Sequence, residues 1–308
     1  MALSFDFAFE GFRIIRSKPY AVLAWGLLLL IGNGLSLYAL TSLAGTSLDA
    51  LQHMQGSQPA TEAQAEAMLG LFPPILAGYG IALPLQLVVG AFVACAVYRA
   101  VLGREDKGLA WLGFGADELR QMAVGLLFAL VAIGVFVVAL IAISLVAGLL
   151  SSVLGIAPES LGFLAGVAAI AVTAAFAVRL SFFGVQTFDE EKINLFGSWP
   201  VTREYLWPLV AGYLVTGVMI ALVYVLCFAI FAACAAAVGH GDVKVLDPIL
   251  KGGTLTTDMF RSPVTVAYLI VANGLVAPLS VALSAGAPAA AYRSLRGTKS
   301  PARAENLF

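Results

Sequence analysis

The sequence predicts an all-α fold: a polytopic membrane protein with six transmembrane helices, arranged as three parallel two-helix repeats with interfacial lead-in helices.

 Three observations predict it. Of 308 residues, 61% are hydrophobic and 11% charged, with a mean hydropathy of +0.96, whereas soluble domains carry about 25% charged residues. Uncharged runs recur at 21–48, 68–98, 121–158, 160–178, 206–239 and 262–292, each near or above the ~20 apolar residues with which a helix crosses a bilayer. These runs are continuous and lack the polar–apolar alternation over ~10 residues that marks a barrel strand.

The chain opens on "FDFAFEGFRIIRSKP", in which Phe5, Phe9, Phe12 and Ile15 or Arg16 recur at helical spacing between Asp6, Glu10 and Arg13. Such a helix lies in the headgroup plane with its apolar face inward, and Pro19 marks the turn into span one. The start has no basic n-region, so span one is expected to stay uncleaved as an anchor. The first outer loop, 46–74, has room for a short helix near 61–71, capped by Thr61 and ended by Pro73 and Pro74. Span two carries Pro84 and Gln86 and closes on "VYRAVLGRE". The run 121–158 is 38 residues, ~57 Å as helix against a hydrocarbon core of ~30 Å. It either projects beyond the bilayer or adds a re-entrant or surface segment near "GLLSSVLGIAPES".

Span four ends at Arg179, where "LSFFGVQTF" continues apolar. A second interfacial segment, "KINLFGSWPVTREYLWP", brings Trp199 and Trp207 to the aromatic belt. Span five leads to the glycine-rich outer loop 239–263, and span six closes on "AYRSLRGTK".

Spans two and six match in register. Pro84 stands fifteen residues before Arg99, and Pro278 fifteen before Arg293, each Arg preceded by Tyr. "AAFAVRLSFFG" places Arg179 after the same kind of alanine-rich helix end. The lead-ins correspond too: Phe12 to Gly32 and Phe114 to Gly134 span twenty residues, Phe196 to Gly217 twenty-one. This yields one membrane domain, 1–304, of three parallel repeats, about 5–107, 108–192 and 193–304, unlike the inverted repeats of many transporters. The competing account is that apolar helices align easily. The tail "AENLF" resembles a protease-site linker, so 305–308 is read as a tag remnant.

Lys and Arg placement sets orientation. Arg13, Arg16, Lys18, Arg99, Arg104, Lys107, Arg120, Arg179, Lys192, Arg203, Arg293, Arg296, Lys299 and Arg303, 14 of the 17 basic residues, fall on one side; Lys244, Lys251 and Arg261 fall on the other. Both termini are therefore expected in the cytoplasm, with the chain in a bacterial inner membrane. A net charge of −1 gives no reason to invoke nucleic acid.

Candidate chemistry is sparse. Asn33 in "GNGLS", Gln86 after Pro84 and Asn273 in "VANGLVAP" are candidate substrate-binding amides, since glycine and proline beside an amide loosen a helix and free carbonyls for a ligand. The alternative is interhelical hydrogen bonding, worth ~0.6 kcal/mol on average. Arg99, Arg179 and Arg293 are headgroup or interface candidates, against simple snorkelling. Cys95, Cys227 and Cys234 read as small hydrophobes. His53 and His240 lack the convergent partners of a metal site. No cofactor, metal or catalytic set is expected, and the carboxylates of "TFDEEK" read as solvated.

With six spans, "FEGFRIIRSKPYAVLAW" at the start and the Phe-Gly lead-ins "GFGAD" and "LFGSW", the chain resembles the integral-membrane domain attached to some bacterial glycerophosphodiester phosphodiesterases, together with its stand-alone relatives. The resemblance implies a six-span membrane domain; it carries over neither the phosphodiesterase activity nor any functional residue. The expected function is transport or binding of a small or lipid-like amphipathic solute. The alternative is a non-transporting oligomeric scaffold, a lipid-organising protein or an accessory subunit. Membrane lipids, and a second copy of the chain, are the expected partners.

Overall fold

The structure, a computed structural model, describes residues 5–54, 62–104, 109–154, 158–250 and 256–298. Lys107, Lys251, Lys299, Arg303, the Thr61 cap and the tail 305–308 lie outside the described residues. About 90% of the chain is helical, with no strand among the described residues. After a 3₁₀ turn, Phe5–Phe9, come α1 (Glu10–Ser17), α2 (Pro19–Met54), α3 (Glu62–Val101), α4 (Ala116–Leu154), α5 (Pro158–Arg179) and α6 (Phe183–Glu190). Then follow α7 (Ser198–Arg203), α8 (Leu206–Val238), α9 (Asp247–Leu250), α10 (Pro263–Val271), a π turn (Ala272–Val276) and α11 (Ala277–Thr298). Six helical stretches are long and apolar enough to cross a membrane, as in a multi-pass membrane protein: Pro19–Met54, Glu66–Val101, Ala116–Val153, Leu161–Glu190, Leu206–Val238 and Pro263–Arg296.

Local chemistry sets the helix ends. α10 starts with Pro263, whose missing N–H is no loss in a first turn, and the Ser262 hydroxyl accepts from the Thr265 amide at 3.4 Å. α3 closes through Gly103 at φ 71, a left-handed position that glycine adopts without penalty; the Arg104 amide then returns to the Arg99 carbonyl at 3.0 Å.

The helices pair as hairpins: α2 with α3, α4 with α5, and α8 with α10 and α11. Small residues set the spacing. A Cβ at Gly78 would lie 2.8 Å from the Ala44 side chain, and one at Gly32 would overlap Val89. α11 is the central helix, packing on α1, α2, α3 and α8. Its Ala282, Ala287, Ala289 and Ala291 are fully buried, and their small side chains allow that many neighbours. The core lies toward the end of the bundle that holds Arg99 and Arg293, where Trp25, Leu29, Val93, Val97, Phe182, Phe188 and Leu209 pack together. Leu126, Leu130, Ile133, Leu145, Leu222 and Ile230 face outward, as lipid-facing residues do.

Two expectations change. Pro73 and Pro74 do not end a short helix; they sit inside α3 together with Pro84. Each proline costs about 3 kcal/mol in a helix interior, yet Gly78 packed against Ala44 and Leu40 holds the following turns in register. The run 121–158 contains no re-entrant segment up to residue 154: α4 is one helix of 39 residues, ~58 Å long, so it projects beyond a ~30 Å core. At the N-terminus, Phe5, Phe9 and Phe12 are exposed, while Phe7, Ala8, Gly11 and Ile14 are buried on the opposite side. The stripe of smaller residues packs, because a Cβ at Gly11 would already lie 2.6 Å from the Leu283 Cα.

Candidate functional site

Three helices finish in arginine at one end of the bundle, and each arginine meets the segment that leads into another hairpin. At the end of α3, Arg99 Nη2 donates to Glu118 Oε1 at 2.6 Å and to Asp117 Oδ2 at 3.4 Å, and Nη1 donates to the Trp111 carbonyl at 3.0 Å. Glu118 is 1% exposed, and burying a carboxylate is costly unless a cation is paired with it, as Arg99 is here. Near the end of α11, Arg293 donates to the Val101 carbonyl and, through Nη2, to Glu10 Oε1 at 3.1 Å. Glu10 also holds Arg13 at 2.7 Å.

The end of α5 differs. Arg179 has no ion pair with a described residue, its Nη1 is buried without a hydrogen-bond partner, and its guanidinium stands 5.8 Å over the Trp199 ring. Its backbone carbonyl accepts from the Ser198 hydroxyl at 3.2 Å and the Thr202 hydroxyl at 2.9 Å. Those two bonds dock α7 onto α5.

The loop between α3 and α4 is shaped by the same contacts. Ala110 and Trp111 both adopt φ 58, a left-handed conformation costing about 1–2 kcal/mol per non-glycine residue. The two carbonyls this turns inward are used: Trp25 Nε1 donates to Ala110 at 3.0 Å and Arg99 donates to Trp111.

Of the three candidate amides, the structure brings two together. Asn33 Nδ2 in α2 donates to Asn273 Oδ1 at 3.0 Å. Asn273 Nδ2 donates to the Leu269 carbonyl at 3.0 Å, four residues back. That side chain competes for the carbonyl that an α-helix gives to its own backbone, and the helix widens there into the π turn. Gly26 makes room for it, since a Cβ at that position would overlap the Gly274 carbonyl oxygen. Gln86 is exposed on α3 and does not join the pair.

Beside the π turn lies an apolar groove of about 290 Å³, lined by Tyr224, Cys227, Phe228 and Phe231 of α8 and by Tyr268 and Val276. Its aromatic wall is cohesive, with Tyr268 5.5 Å from Phe231 and 6.1 Å from Phe228 between ring centroids. A shallower hollow of about 400 Å³ lies between α4 and α5, at Gly134, Val138, Ala142 and Val172. Among the described residues no three His, Cys, Asp or Glu side chains form a group that could hold a metal.

The structure also assigns partners to a carboxylate that reads as solvated in sequence. Asp189 of α6 accepts from the Tyr292 hydroxyl at 3.1 Å, and Arg296 bonds the same oxygen. No local signal announces this, because the partners lie more than 100 residues away. The groove was equally hidden: its lining residues differ in no way from other apolar helix positions. No family model, no curated protein and no solved structure matches the chain.

Proposed function

We propose that the chain is an inner-membrane protein that binds the hydrocarbon part of a lipid-like amphipathic solute in the groove between α8 and α10–α11. The observation that carries this reading is the groove itself: about 290 Å³, walled by aromatic rings and adjoining the π turn. A binding pocket is characteristically concave, mostly apolar and at least about 300 Å³ in volume, and this groove lies at the lower edge of that range. A π turn marks a place where a helix is already widened, and such turns recur at functional sites. Asn33 and Asn273 then act behind the groove wall, fixing α2 against the widened turn, and Gln86 has no part in it.

The three-repeat organisation, about 5–107, 108–192 and 193–304, is part of the proposal. Its support is a closed cycle of docking: α3 holds the segment leading into α4, α5 holds α7, and α11 holds α1. The resemblance to the membrane domain of bacterial glycerophosphodiester phosphodiesterases belongs here as well, for the architecture alone. The alternative, a non-transporting oligomeric scaffold, draws on α4, whose apolar outer face is free in the single chain.

The test is native mass spectrometry of the protein extracted gently with its lipids, beside Cys227→Trp, which fills the groove. The wild type should retain a defined lipid or amphipath at one per chain, and Cys227→Trp should lower that retention about tenfold, an effect of ~1.4 kcal/mol. Equal retention by both proteins overturns the groove assignment. A fixed oligomer carrying only mixed bulk lipid favours the scaffold.

A further inference from the structure

We propose that Arg179, backed by Trp199, is a binding site for a phosphate-class anion, distinct from the apolar groove. The argument starts from the contrast among the three arginine-ended helices. Arg99 is neutralised by Glu118 at 2.6 Å and Arg293 by Glu10 at 3.1 Å. The segment that docks on Arg179 is 193–203, "INLFGSWPVTR", and it contains no carboxylate. Ser198 and Thr202 occupy the docking positions instead, and their hydroxyls are spent on the Arg179 carbonyl. The Arg179 carbonyl is thus docked by two hydroxyls, while the guanidinium has no ion pair with a described residue and its Nη1 is buried without a partner among them.

The surroundings suit an anion approaching from the membrane surface. Trp199 lies 5.8 Å beneath the guanidinium and is edge-on to Phe176 at 5.6 Å, so the arginine plane is supported from below. Trp199 is 41% exposed and Phe196 56% exposed, which opens this corner to a headgroup region favoured by tryptophan. Arginine presents a planar fork of donors matched to phosphate oxygens. An oxyanion reaching the edge of the guanidinium away from the buried Nη1 supplies the charge that Glu118 and Glu10 supply elsewhere. The phosphodiester of an anionic lipid and free inorganic phosphate share this chemistry.

The experiment uses the full-length protein in nanodiscs, comparing wild type, Arg179→Gln, Arg179→Lys and Arg203→Gln. Arg203 is a nearby exposed arginine and controls for general surface charge. Phosphatidylglycerol and phosphatidylcholine are titrated in turn, and inorganic phosphate is added separately; bound lipid is counted by native mass spectrometry and the unfolding temperature followed. Wild type should prefer phosphatidylglycerol, Arg179→Gln should weaken that preference about tenfold, as loss of a charge-assisted hydrogen-bonded contact does, and Arg203→Gln should leave it within about twofold. Should Arg179→Gln not fold, Arg179→Lys keeps the charge without the fork, and about threefold weakening is expected. An Arg179-dependent thermal shift with millimolar phosphate identifies a free anion; dependence on phosphatidylglycerol alone identifies a headgroup. No preference in the wild type, an undiminished preference in Arg179→Gln and Arg179→Lys, or equal losses in Arg179→Gln and Arg203→Gln overturns the site.

Discussion

The two neutralised arginines are not equivalent, and burial decides the difference. The Arg99 side chain is 16% exposed and Glu118 1%, whereas Arg293 is 45% exposed over a Glu10 that is 8% exposed. Removing one member of a buried pair strands the other charge, at about 3–5 kcal/mol. Asp117 at 3.4 Å from Arg99 offers partial compensation, which places Glu118→Gln near the lower end, about 3 kcal/mol. For Glu10→Gln, Arg293 keeps access to solvent and to the Val101 carbonyl, so the cost is closer to about 1 kcal/mol. Denaturant unfolding of the two variants in the same detergent measures this order. Equal losses would mean that exposure does not govern the pairs.

At the scale of elements, the docking of α1 on α11 depends on glycine at the crossing. A Cβ at Gly11 would lie 2.6 Å from the Leu283 Cα and 2.7 Å from the Ala282 carbonyl oxygen, both backbone atoms that cannot swing aside. Gly11→Ala should therefore push α1 off α11 and cost about 1–3 kcal/mol, as overpacking does. Gly34→Ala in α2, with nothing within 4 Å of the new methyl, should be neutral or stabilising by up to about 1 kcal/mol. Thermal unfolding of both variants checks the pair, and a harmless Gly11→Ala would show that α1 is not seated on α11.

What could be read from sequence follows the same division between local and long-range physics. The six spans were legible because apolar runs of that length have few alternatives. Arg99 and Arg293 were legible as helix ends, but the carboxylates that answer them were not, since Glu118 and Glu10 stand 19 and 283 residues away. Asn33 and Asn273 were recognisable as intramembrane amides, and their mutual bond across 240 residues was not. Gln86 carried the same local signal as they did and ended up exposed, because only helix rotation decides which face an amide occupies. Proline misled in α3, where tertiary packing outweighed a local break.

For the whole molecule, the ends of the chain's traverses make orientation a testable property. Arg99, Arg179 and Arg293 all belong to returning helices, and 14 of 17 basic residues fall with them by sequence; the positive-inside rule then assigns that end to the cytoplasm. Arg16 and His240 are exposed and lie, on this reading, at opposite ends. With Cys95, Cys227 and Cys234 replaced by alanine, single cysteines at Arg16→Cys and His240→Cys can be probed with a membrane-impermeant maleimide. His240→Cys should label in intact spheroplasts, and Arg16→Cys only in inverted vesicles. The reverse pattern inverts the topology; labelling of both from the same side rules out five traverses between residues 16 and 240 and any other odd number. The predicted pattern also fixes which leaflet supplies ligands. Arg179 would then face the inner leaflet, where anionic headgroups give a negative surface potential, and the groove at the π turn would open further along the helices, within reach of acyl chains alone. Polar and apolar recognition would thus be separated along the membrane normal, which is why the Arg179 and Cys227 variants are expected to fail independently.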